Sequence, residues 1–302
     1  MEFIALINNS TFRAKFGFVC HIKQINSRVN LFKAGNKFLI VKHYKPNDFK
    51  IVIFDFERKL MTCFENTLPP LLSITHNNNN NNNKIISVIY GYKENKSLPS
   101  PYSIGKELGK FHRELENHSL YKLSPKIRIK YENLDNFIIS DFNYINLLQK
   151  KLLDLKLDLI KKYNSIFIER FNKIPQQLIH GDMRVENIIS NSDRIYFIDL
   201  DQMSVFFKSY DLIRFSFLNY LNYKKDLTSF NNFWLGYFSS NQIMHVEKID
   251  MFKIFFITQI LDDVGIFKGL DNSNVTFIEY KYNLLLKLDK NFKYFNNLFL
   301  KL

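Results

Sequence analysis

Cysteine and long apolar runs are scarce in this sequence, and each scarcity excludes a class of protein. Only Cys20 and Cys63 occur among 302 residues, so no disulfide framework or cysteine-rich metal site is expected, and both are interpreted as buried thiols in a reducing compartment. No stretch of about 18 uncharged apolar residues is present, so we expect no membrane-spanning helix. The first residues, MEFIALINNSTF, lack the basic and apolar regions of a signal peptide. A cytoplasmic protein is the expectation.

The composition is that of an ordinary globular protein with a basic surface. Apolar residues make up 46% of the chain and charged residues 24%, and 42 Lys and Arg against 29 Asp and Glu give a net charge of +13. Such a charge suits nucleic acid or an anionic membrane. The lysines are scattered, however, without a dense basic block or interleaved aromatic residues. We therefore expect a solvated, lysine-rich surface, with no nucleic-acid or membrane partner.

The first third of the chain has the pattern of a β-sheet. Phe16 to Gln24 is apolar and rich in β-forming residues. Val29–Lys33 and Lys37–His43 flank Ala34-Gly35-Asn36, which is a hairpin signal. Residues 84–92, KIISVIYGY, predict a further buried strand.

Two segments of this first third are less regular. Residues 49–66 predict a strand followed by a helix, which ends before Pro69-Pro70. His76 and the seven asparagines Asn77–Asn83 offer no apolar surface to bury, so residues 76–83 are expected to form a disordered loop.

The pattern becomes helical after Ser100-Pro101, an N-cap followed by proline at the first helical position. Residues 119–144 match no clear pattern, and the chain beyond Tyr210 is again helical. Two apolar stripes predict long amphipathic helices. The first is Ile104, Leu108, Phe111 and Leu115, and the second, between Ile145 and about Arg170, is Leu148, Leu152, Leu155, Leu159 and Tyr163.

A short β-prone island interrupts the helical part. Glu186–Ser190 and Arg194–Asp199 predict two strands around a turn at Asn191-Ser192-Asp193. The fold class is therefore α+β, with a small, antiparallel, β-rich lobe over residues 1–95 and a larger, mainly helical lobe over residues 96–302 that contains an inset β-hairpin. Ligand sites form preferentially in a cleft between two such units.

Residues 178–201, LIHGDMRVENIISNSDRIYFIDLD, carry the chemistry. Phosphoryl transfer from ATP needs one carboxylate to orient the acceptor hydroxyl and oxygen ligands to hold Mg²⁺ on the phosphates. Asp182 lies in a short loop, Asn187 follows five residues later, and Asp199 ends a predicted strand. Because the hairpin folds back, all three are expected to converge.

Each residue has an expected role in that reaction. Asp182 would orient the acceptor hydroxyl and accept its proton. Asp199 would chelate Mg²⁺ between the β- and γ-phosphates, with Asn187 as a second metal ligand. Lys42, at the end of a predicted strand, would reach the α- and β-phosphates as a point charge. Alone, each residue is unremarkable; together, they predict a kinase.

These residues resemble a known family. HGDMRVEN followed by FIDLD is similar to the motif pair of the aminoglycoside phosphotransferase and choline kinase-like family, distant relatives of protein kinases. LGKFHREL (108–115), SYDLIRF (209–215) and FWLGY (233–237) resemble three further segments of that family. The resemblance implies a bilobal, protein-kinase-like fold, ATP and Mg²⁺ as cofactors, and O-phosphorylation of a small hydroxyl compound. It assigns Asp182 as the base and supports the roles given to the other three residues.

The resemblance also suggests supporting residues for the nucleotide and the phosphoryl group. Arg184 lies where protein kinases carry a phosphate-contacting lysine, and it either stabilises the transferring phosphoryl group or forms a structural salt bridge. Glu57 is a candidate ion-pair partner of Lys42. Ser27 opens a segment at the nucleotide-loop position, where no GxGxxG motif occurs. That departure agrees with this family and argues against a protein kinase.

Several polar residues are interpreted as structural. Asp211 is expected to brace the catalytic loop from the start of a helix, His180 to hold the loop, and His112 to pack. Asp201 assists metal or substrate binding, or forms a structural hydrogen bond. The pair Asp262-Asp263 suits a cationic acceptor such as an amine, although adjacent acids are commonly a helix surface or cap.

Three alternatives to a small-molecule kinase stay open. The chain is otherwise a catalytically inactive pseudokinase that only binds nucleotide, an atypical protein kinase, or a nucleic-acid binder that relies on charge alone. Within the main hypothesis, the acceptor is an amino alcohol such as choline or ethanolamine, homoserine, or a sugar.

Overall fold

The computed structural model describes most of the helical part of the chain and the strands that precede it. Within the described residues, no helix is both long and apolar enough to cross a membrane. The described residues are 19–26, 29–35, 37–44, 71–78, 84–92, 98–117, 147–171, 174–190, 194–222, 225–261 and 275–302.

The first part of the chain forms a five-stranded antiparallel sheet with the order β1-β2-β3-β5-β4. The predicted hairpin is confirmed, because β2 and β3 pair from Val29 with Lys42 to Ala34 with Lys37. The apolar side chains Phe32, Leu39 and Val41 are buried. The strands are β1 (Val19–Asn26), β2 (Val29–Ala34), β3 (Lys37–Tyr44), β4 (Leu71–Asn78) and β5 (Lys84–Tyr92).

Two expectations for this sheet are wrong. His76, Asn77 and Asn78 belong to β4, where they pair with residues 84–86 of β5, so the predicted disordered loop over 76–83 begins too early. Strand pairing uses backbone groups and needs no apolar side chain at its end. Cys20 on β1 is exposed rather than buried. The segments 49–66 and 79–83 lie outside the described residues.

The two predicted amphipathic helices are confirmed as α1 (Pro101–Asn117) and α2 (Leu147–Phe171). The Ser100 side chain accepts a hydrogen bond from the backbone N–H of Ser103 at 3.2 Å, as expected of an N-cap. All four residues of the first stripe are buried, as are Leu152, Leu159 and Tyr163 of the second.

The described residues from 98 onward form helices with two small antiparallel sheets among them. The sequence did not predict the pairing of β6 with β9, whereas β7 pairs with β8 near the expected positions. These elements are β6 (Gln177–Ile179), β7 (Ile188–Ser190), β8 (Ile195–Phe197), β9 (Ser204–Phe206), α3 (Lys208–Ser216), a π-helical turn (Phe217–Leu221), α4 (Leu227–Phe238), α5 (His245–Leu261), α6 (Val275–Lys290) and α7 (Phe292–Leu300).

The helices α1 and α4 pack closely at two glycines, and large aromatic side chains fill the core of the helical part. A Cβ on Gly236 would lie 2.0 Å from the Tyr102 carbonyl oxygen, and a Cβ on Gly105 would lie 2.0 Å from the Phe233 carbonyl oxygen, so α1 and α4 pack with their backbones in close approach. This packing places Tyr237 next to the inner face of α1. The largest fully buried side chains of the helical part include Trp234, Tyr210, Phe111, Phe197, Phe206, Phe207, Phe215 and Phe217.

Candidate active site

A buried carboxylate holds the backbone of the loop that carries Asp182. Asp211, at the start of α3, has no exposed surface. Its Oδ1 accepts a hydrogen bond from the N–H of Gly181 at 2.8 Å, and its Oδ2 accepts one from the N–H of His180 at 2.8 Å. The expectation that Asp211 braces the loop is therefore confirmed.

His112 and Tyr237 extend this brace into the core. His112 Nε2 donates to Oδ2 of Asp211 at 3.1 Å, and His112 Nδ1 lies 3.1 Å from the Tyr237 hydroxyl. Burial lowers the pKa of His112 and raises the pKa of Tyr237 well above its ordinary value, so the neutral phenol donates to Nδ1. His112 was expected only to pack; it is instead a hydrogen-bonding link between α1, α3 and α4.

The charge of Asp211 is retained despite its burial. Burial by itself raises the pKa of a carboxyl group. For Asp211 the hydrogen bonds from His112 and from the Gly181 N–H, with the electrostatic effect of the two neighbouring imidazoles, outweigh burial, and its pKa lies below the ordinary value. An ionised carboxylate is the form that accepts all three hydrogen bonds.

Gly181 allows the loop to pass close to the segment after Asp199. Its φ is +81°, and a Cβ at this position would lie 2.1 Å from the carbonyl oxygen of Gln202. Both the left-handed backbone and the contact require glycine. The loop of Asp182 and the 3₁₀ turn Leu200–Gln202 are thereby held together.

The ring of His180 links the loop to the strand end that precedes Asp199. His180 Nε2 donates to the carbonyl oxygen of Ile198 at 2.9 Å, and the N–H of Asp182 donates to His180 Nδ1 at 3.3 Å. Because a carbonyl can only accept, these contacts specify the Nε2–H tautomer. His180 is fully buried, and its predicted scaffold role is confirmed.

Three side chains surround the carboxylate of Asp182. Arg214 Nη2 donates to Oδ1 at 2.5 Å, Arg184 Nε lies 3.2 Å from Oδ2, and Asn187 Nδ2 donates to Oδ2 at 3.2 Å and to the Asp182 carbonyl oxygen at 2.8 Å. The salt bridge foreseen for Arg184 is therefore present, with Asp182 as its partner. Charge-assisted contacts of this kind hold a carboxylate in one orientation.

Asn187 lies in a 3₁₀ turn, Val185–Asn187, and not in a strand as predicted. The strand begins one residue later, at Ile188. The turn directs the Asn187 side chain back to Asp182, while its carbonyl oxygen accepts a hydrogen bond from the N–H of Ile198 at 2.9 Å. Ile198 thus binds both the Asn187 backbone and the His180 ring, which brings Asp199 beside them.

Asp199 has an unusual backbone for a residue with a side chain. Its φ is +64° and its ψ is +60°, and such a left-handed residue at the end of a strand is a common feature of functional sites. Its carboxylate does not cap the 3₁₀ turn that follows. Among the described residues no group of three or more His, Cys, Asp and Glu converges to hold a metal.

A metal bound on nucleotide phosphates needs fewer protein ligands than such a group provides. The amide nitrogen of Asn187 faces Asp182. The amide oxygen of Asn187 is therefore the atom that can ligate a cation. Together with a carboxylate oxygen of Asp199, this is an oxygen donor set that suits Mg²⁺ or Ca²⁺. The residues fit a hard divalent cation.

Of the predicted nucleotide residues, the structure describes only the backbone of Lys42. Lys42 lies on β3, where its backbone pairs with Val29 and Val88; the position of its side chain is not described. Ser27 and Glu57 lie outside the described residues, and so does the pair Asp262-Asp263. Their roles stay predictions.

A cavity of about 990 Å³ opens in front of Asp182. Its walls come from the start of α1, the loop of Asp182, α3 with the π-helical turn, and the helices α5 and α6. The cations Arg184, Arg214 and Lys281 line it, with Asp182 and Glu186 as the carboxylates. A volume of this size accommodates a small organic substrate.

Comparison with known proteins decides the fold. No protein-family model matches the sequence, and no curated protein matches it. A microcompartment-associated aminopropanol kinase superposes with a TM-score of 0.66 at 12% identity, covering 98% of both chains. Amicoumacin kinase hAmiN, in complex with AMP-PNP, Ca²⁺ and Ami, has a TM-score of 0.62 at 14% identity over 96% of this chain and 94% of that one. The GDP complex of aminoglycoside 2′-phosphotransferase-IIIa has a TM-score of 0.64 at 14% identity over 96% and 98%.

The chain has the fold of the small-molecule kinases. The resemblance expected from HGDMRVEN and FIDLD is thus confirmed for the fold. Within this kinase fold, the three other family-like segments meet at one place, since LGKFHREL supplies His112, SYDLIRF supplies Asp211 and FWLGY supplies Tyr237.

Sequence reasoning missed two parts of this candidate site. Arg214 lies within SYDLIRF, three residues after Asp211, and that i, i+3 spacing on a helix was the available signal. Lys281 and Gln259 lie on helices far along the chain, without a motif. No sequence signal pointed to either.

Proposed function

We propose that the chain is an ATP- and Mg²⁺-dependent phosphotransferase that phosphorylates a hydroxyl group of a small molecule. The observation that carries the proposal is the Asp182 loop, which Asp211 braces at the edge of a cavity while Asn187 and Arg214 hold its carboxylate. A base held so firmly beside a substrate-sized space suits acceptor activation. Residues 1–95 would form the nucleotide lobe, and residues 96–302 the catalytic lobe.

Each residue of the proposed site has a separate role in the reaction. Asp182 orients the acceptor hydroxyl and takes up its proton. Asn187 and Asp199 hold the metal, and Arg184 neutralises charge on the transferring phosphoryl group. Bound Mg²⁺–ATP supplies the activated phosphoryl group. On the nucleotide side we propose Lys42 for the phosphates, Glu57 as its ion-pair partner and Ser27 in the nucleotide loop.

The solved neighbours support the donor half of this proposal. One of them was captured with AMP-PNP and Ca²⁺, and another with GDP. A nucleotide and a divalent cation are therefore expected here, and both ATP and GTP are worth testing as donors. We place the enzyme in the cytoplasm, as the low cysteine content suggests.

The test is a search of a metabolite extract for compounds phosphorylated in the presence of the protein, ATP and Mg²⁺. Asp182→Asn serves as the blank, because it keeps the shape of the side chain and removes the base. We expect a phosphorylated product with the wild-type protein and none with Asp182→Asn, while circular dichroism shows both to be folded. Equal product from both proteins would refute the assignment of Asp182.

Two companion measurements, thermal stabilisation by nucleotide and phosphate incorporation into mixed proteins, separate the other interpretations. Nucleotide-dependent thermal stabilisation without any product would indicate a pseudokinase. Phosphate incorporation into mixed proteins, but not into metabolites, would indicate an atypical protein kinase. Absence of stabilisation by ATP or GTP, with and without Mg²⁺, would reject the nucleotide site itself.

A further inference from the structure

The helices α5 and α6 supply the cavity with a polar wall whose chemistry differs from that around Asp182. Gln259 on α5 and Lys281 on α6 both line the cavity. Only 1% of Gln259 and 6% of Lys281 is exposed. Lysine is rarely buried to this degree in a protein, so its presence in a substrate-sized cavity calls for a function.

Lys281 is held in a defined position within this wall. Its Nζ donates to Oε1 of Gln259 at 3.3 Å and lies 5.7 Å from the ring centre of Phe277. Gln259 and Phe277 are uncharged, and both also line the cavity. A cationic group is thereby presented on a polar and aromatic surface, where the dielectric constant is lower than in water and charge recognition is stronger.

The amide of Gln259 adds a second donor beside this lysine. Because Lys281 can only donate, it faces the amide oxygen, and the orientation of the amide follows. The Nε2 group then has no hydrogen-bond acceptor among the described residues. A buried donor without an acceptor costs about 1–3 kcal/mol, and such a group in a native protein requires an explanation, for example a bound ion or water.

Two other polar side chains of the cavity can donate as well. Arg214 lines it from α3, and Tyr220 lines it from the π-helical turn. Burial raises the pKa of Tyr220, and the negative charge of Asp226 raises it further, so the phenol keeps its proton and can donate. On the described walls the carboxylates are Asp182 and Glu186, and both belong to the catalytic loop and the turn after it.

We infer that the Gln259–Lys281 wall binds the anionic group, a carboxylate or a phosphate, of a hydroxyl-bearing acceptor. The inference rests on the phosphotransferase activity proposed above and names its substrate class. An anion supplies acceptor atoms for both the ammonium of Lys281 and the amide of Gln259, while the hydroxyl of the same molecule lies at Asp182. An amine would instead place a cation and further donors against Lys281.

Direct binding to two sets of probes tests this inference. Thermal stabilisation is measured with Mg²⁺–AMP-PNP present, using glycerate and glycerol 3-phosphate as the anionic probes. Ethanolamine, choline and kanamycin are the cationic probes. We expect stabilisation by at least one anionic probe and a weaker effect from every cationic probe. Comparing glycerate with glycerol 3-phosphate distinguishes a carboxylate from a phosphate.

Two variants locate the effect at this wall. Lys281→Met removes the charge at similar volume, and Gln259→Glu places a carboxylate next to Lys281 without changing the size of the side chain. Each is expected to weaken binding of the anionic probe about tenfold or more, which is typical for loss of a charge-assisted hydrogen bond. Lys290→Met removes one exposed lysine from the same helix and should leave probe binding unchanged.

The outcomes are distinct for the two proposals. Stronger stabilisation by a cationic probe, equal responses to both sets, no response to any probe, or unchanged anion binding in Gln259→Glu would overturn the inference. A product formed only from amine acceptors would support the phosphotransferase activity and reject the anion site. Asp262-Asp263 would then be the candidate group for binding the amine. Anion binding that depends on Lys281, without phosphoryl transfer, would keep the site and reject the activity.

Discussion

Arg214 Nη2 lies 2.5 Å from Oδ1 of Asp182, and Arg214 stands on the same helix as Asp211, whose carboxylate holds the backbone of the Asp182 loop. One helix, α3, therefore positions both the backbone and the side chain of the proposed base. The two contacts are three residues apart on α3, on adjacent positions of one helix face.

Replacement of Arg214 tests the second of these contacts. Arg214→Met should lower kcat about ten- to a hundredfold, because a charged hydrogen bond contributes roughly 1.5–3 kcal/mol, and should leave KM for the nucleotide nearly unchanged. Steady-state kinetics with the identified acceptor measure both constants. Arg214→Lys should recover part of kcat, and Arg113→Met, which removes an exposed arginine of α1, should behave as wild type. An unchanged kcat in Arg214→Met would remove its positioning role.

Replacement of Asp211 tests the brace itself. Asp211→Asn has nearly the same shape, but it replaces one carboxylate oxygen with an NH₂ donor. That donor would face an N–H group of His180, Gly181 or His112, so at least one of these hydrogen bonds would be lost. We expect a loss of about 3 kcal/mol in the free energy of unfolding, since breaking a buried charged network is costly. Urea denaturation measures it. The exposed Asp154→Asn on α2 is the control, and equal stability of the two variants would show that the brace contributes little.

Gly181 and Gly35 form a matched pair for a backbone prediction. Both have positive φ, +81° and +57°, but a Cβ on Gly181 would meet the Gln202 carbonyl oxygen at 2.1 Å, whereas nothing lies within 4 Å of a Cβ on Gly35. Gly35→Ala should cost only the backbone strain, about 1 kcal/mol. Gly181→Ala should cost clearly more and also abolish activity. Similar denaturation midpoints for the two variants would contradict the close approach.

The buried imidazole of His112 predicts a loss of stability in mild acid. Burial holds its pKa below the ordinary 6.5, although Asp211 opposes this, and Lys208 and His180 add to it. The unfolded chain therefore binds the proton first, and the stability that is present above about pH 6.5 is lost as the pH falls towards the folded-state pKa. Urea denaturation from about pH 8 to about pH 5 should show this loss.

A second buried group titrates in the opposite direction. Burial raises the pKa of Glu247, so its contribution is largest below its ordinary pKa and is lost as the pH rises through the folded-state value. To isolate the effect of His112, the pH dependence of the free energy of unfolding is compared between Glu247→Gln and the double variant Glu247→Gln with His112→Gln. The double variant should lose less stability in acid than Glu247→Gln alone; parallel curves would show that His112 does not titrate on unfolding.

The sequence predicted those parts of the fold that have a local pattern. Apolar stripes with helical spacing located α1 and α2, and the Gly35 hairpin was evident from its turn residues. The three-residue strands β6 and β9 are too short for periodicity, and their pairing joins Leu178 to Val205 on either side of the segment that contains Asp182 and Asp199. Only tertiary packing determines such a pair.

The site residues also differ in whether a local sequence pattern could predict them. The expected phosphotransfer residues Asp182 and Asn187 do lie together, because their spacing spans a single turn. Arg214 and His112 are 32 residues and 99 residues away from their carboxylate partners, and no local rule connects them. The Lys281 wall depends on how two distant helices pack and was equally beyond the reach of sequence patterns.

Ile198 contributes two backbone hydrogen bonds to the site, with its N–H bonded to the carbonyl oxygen of Asn187 and its own carbonyl oxygen bonded to the ring of His180. Any amino acid except proline can make these two bonds, so neither bond requires isoleucine. A single deletion within β8 would change its pairing with β7 and shift Asp199 away from Asn187. Over evolutionary time we therefore expect the lengths of β7 and β8 to change less than the amino acid at position 198.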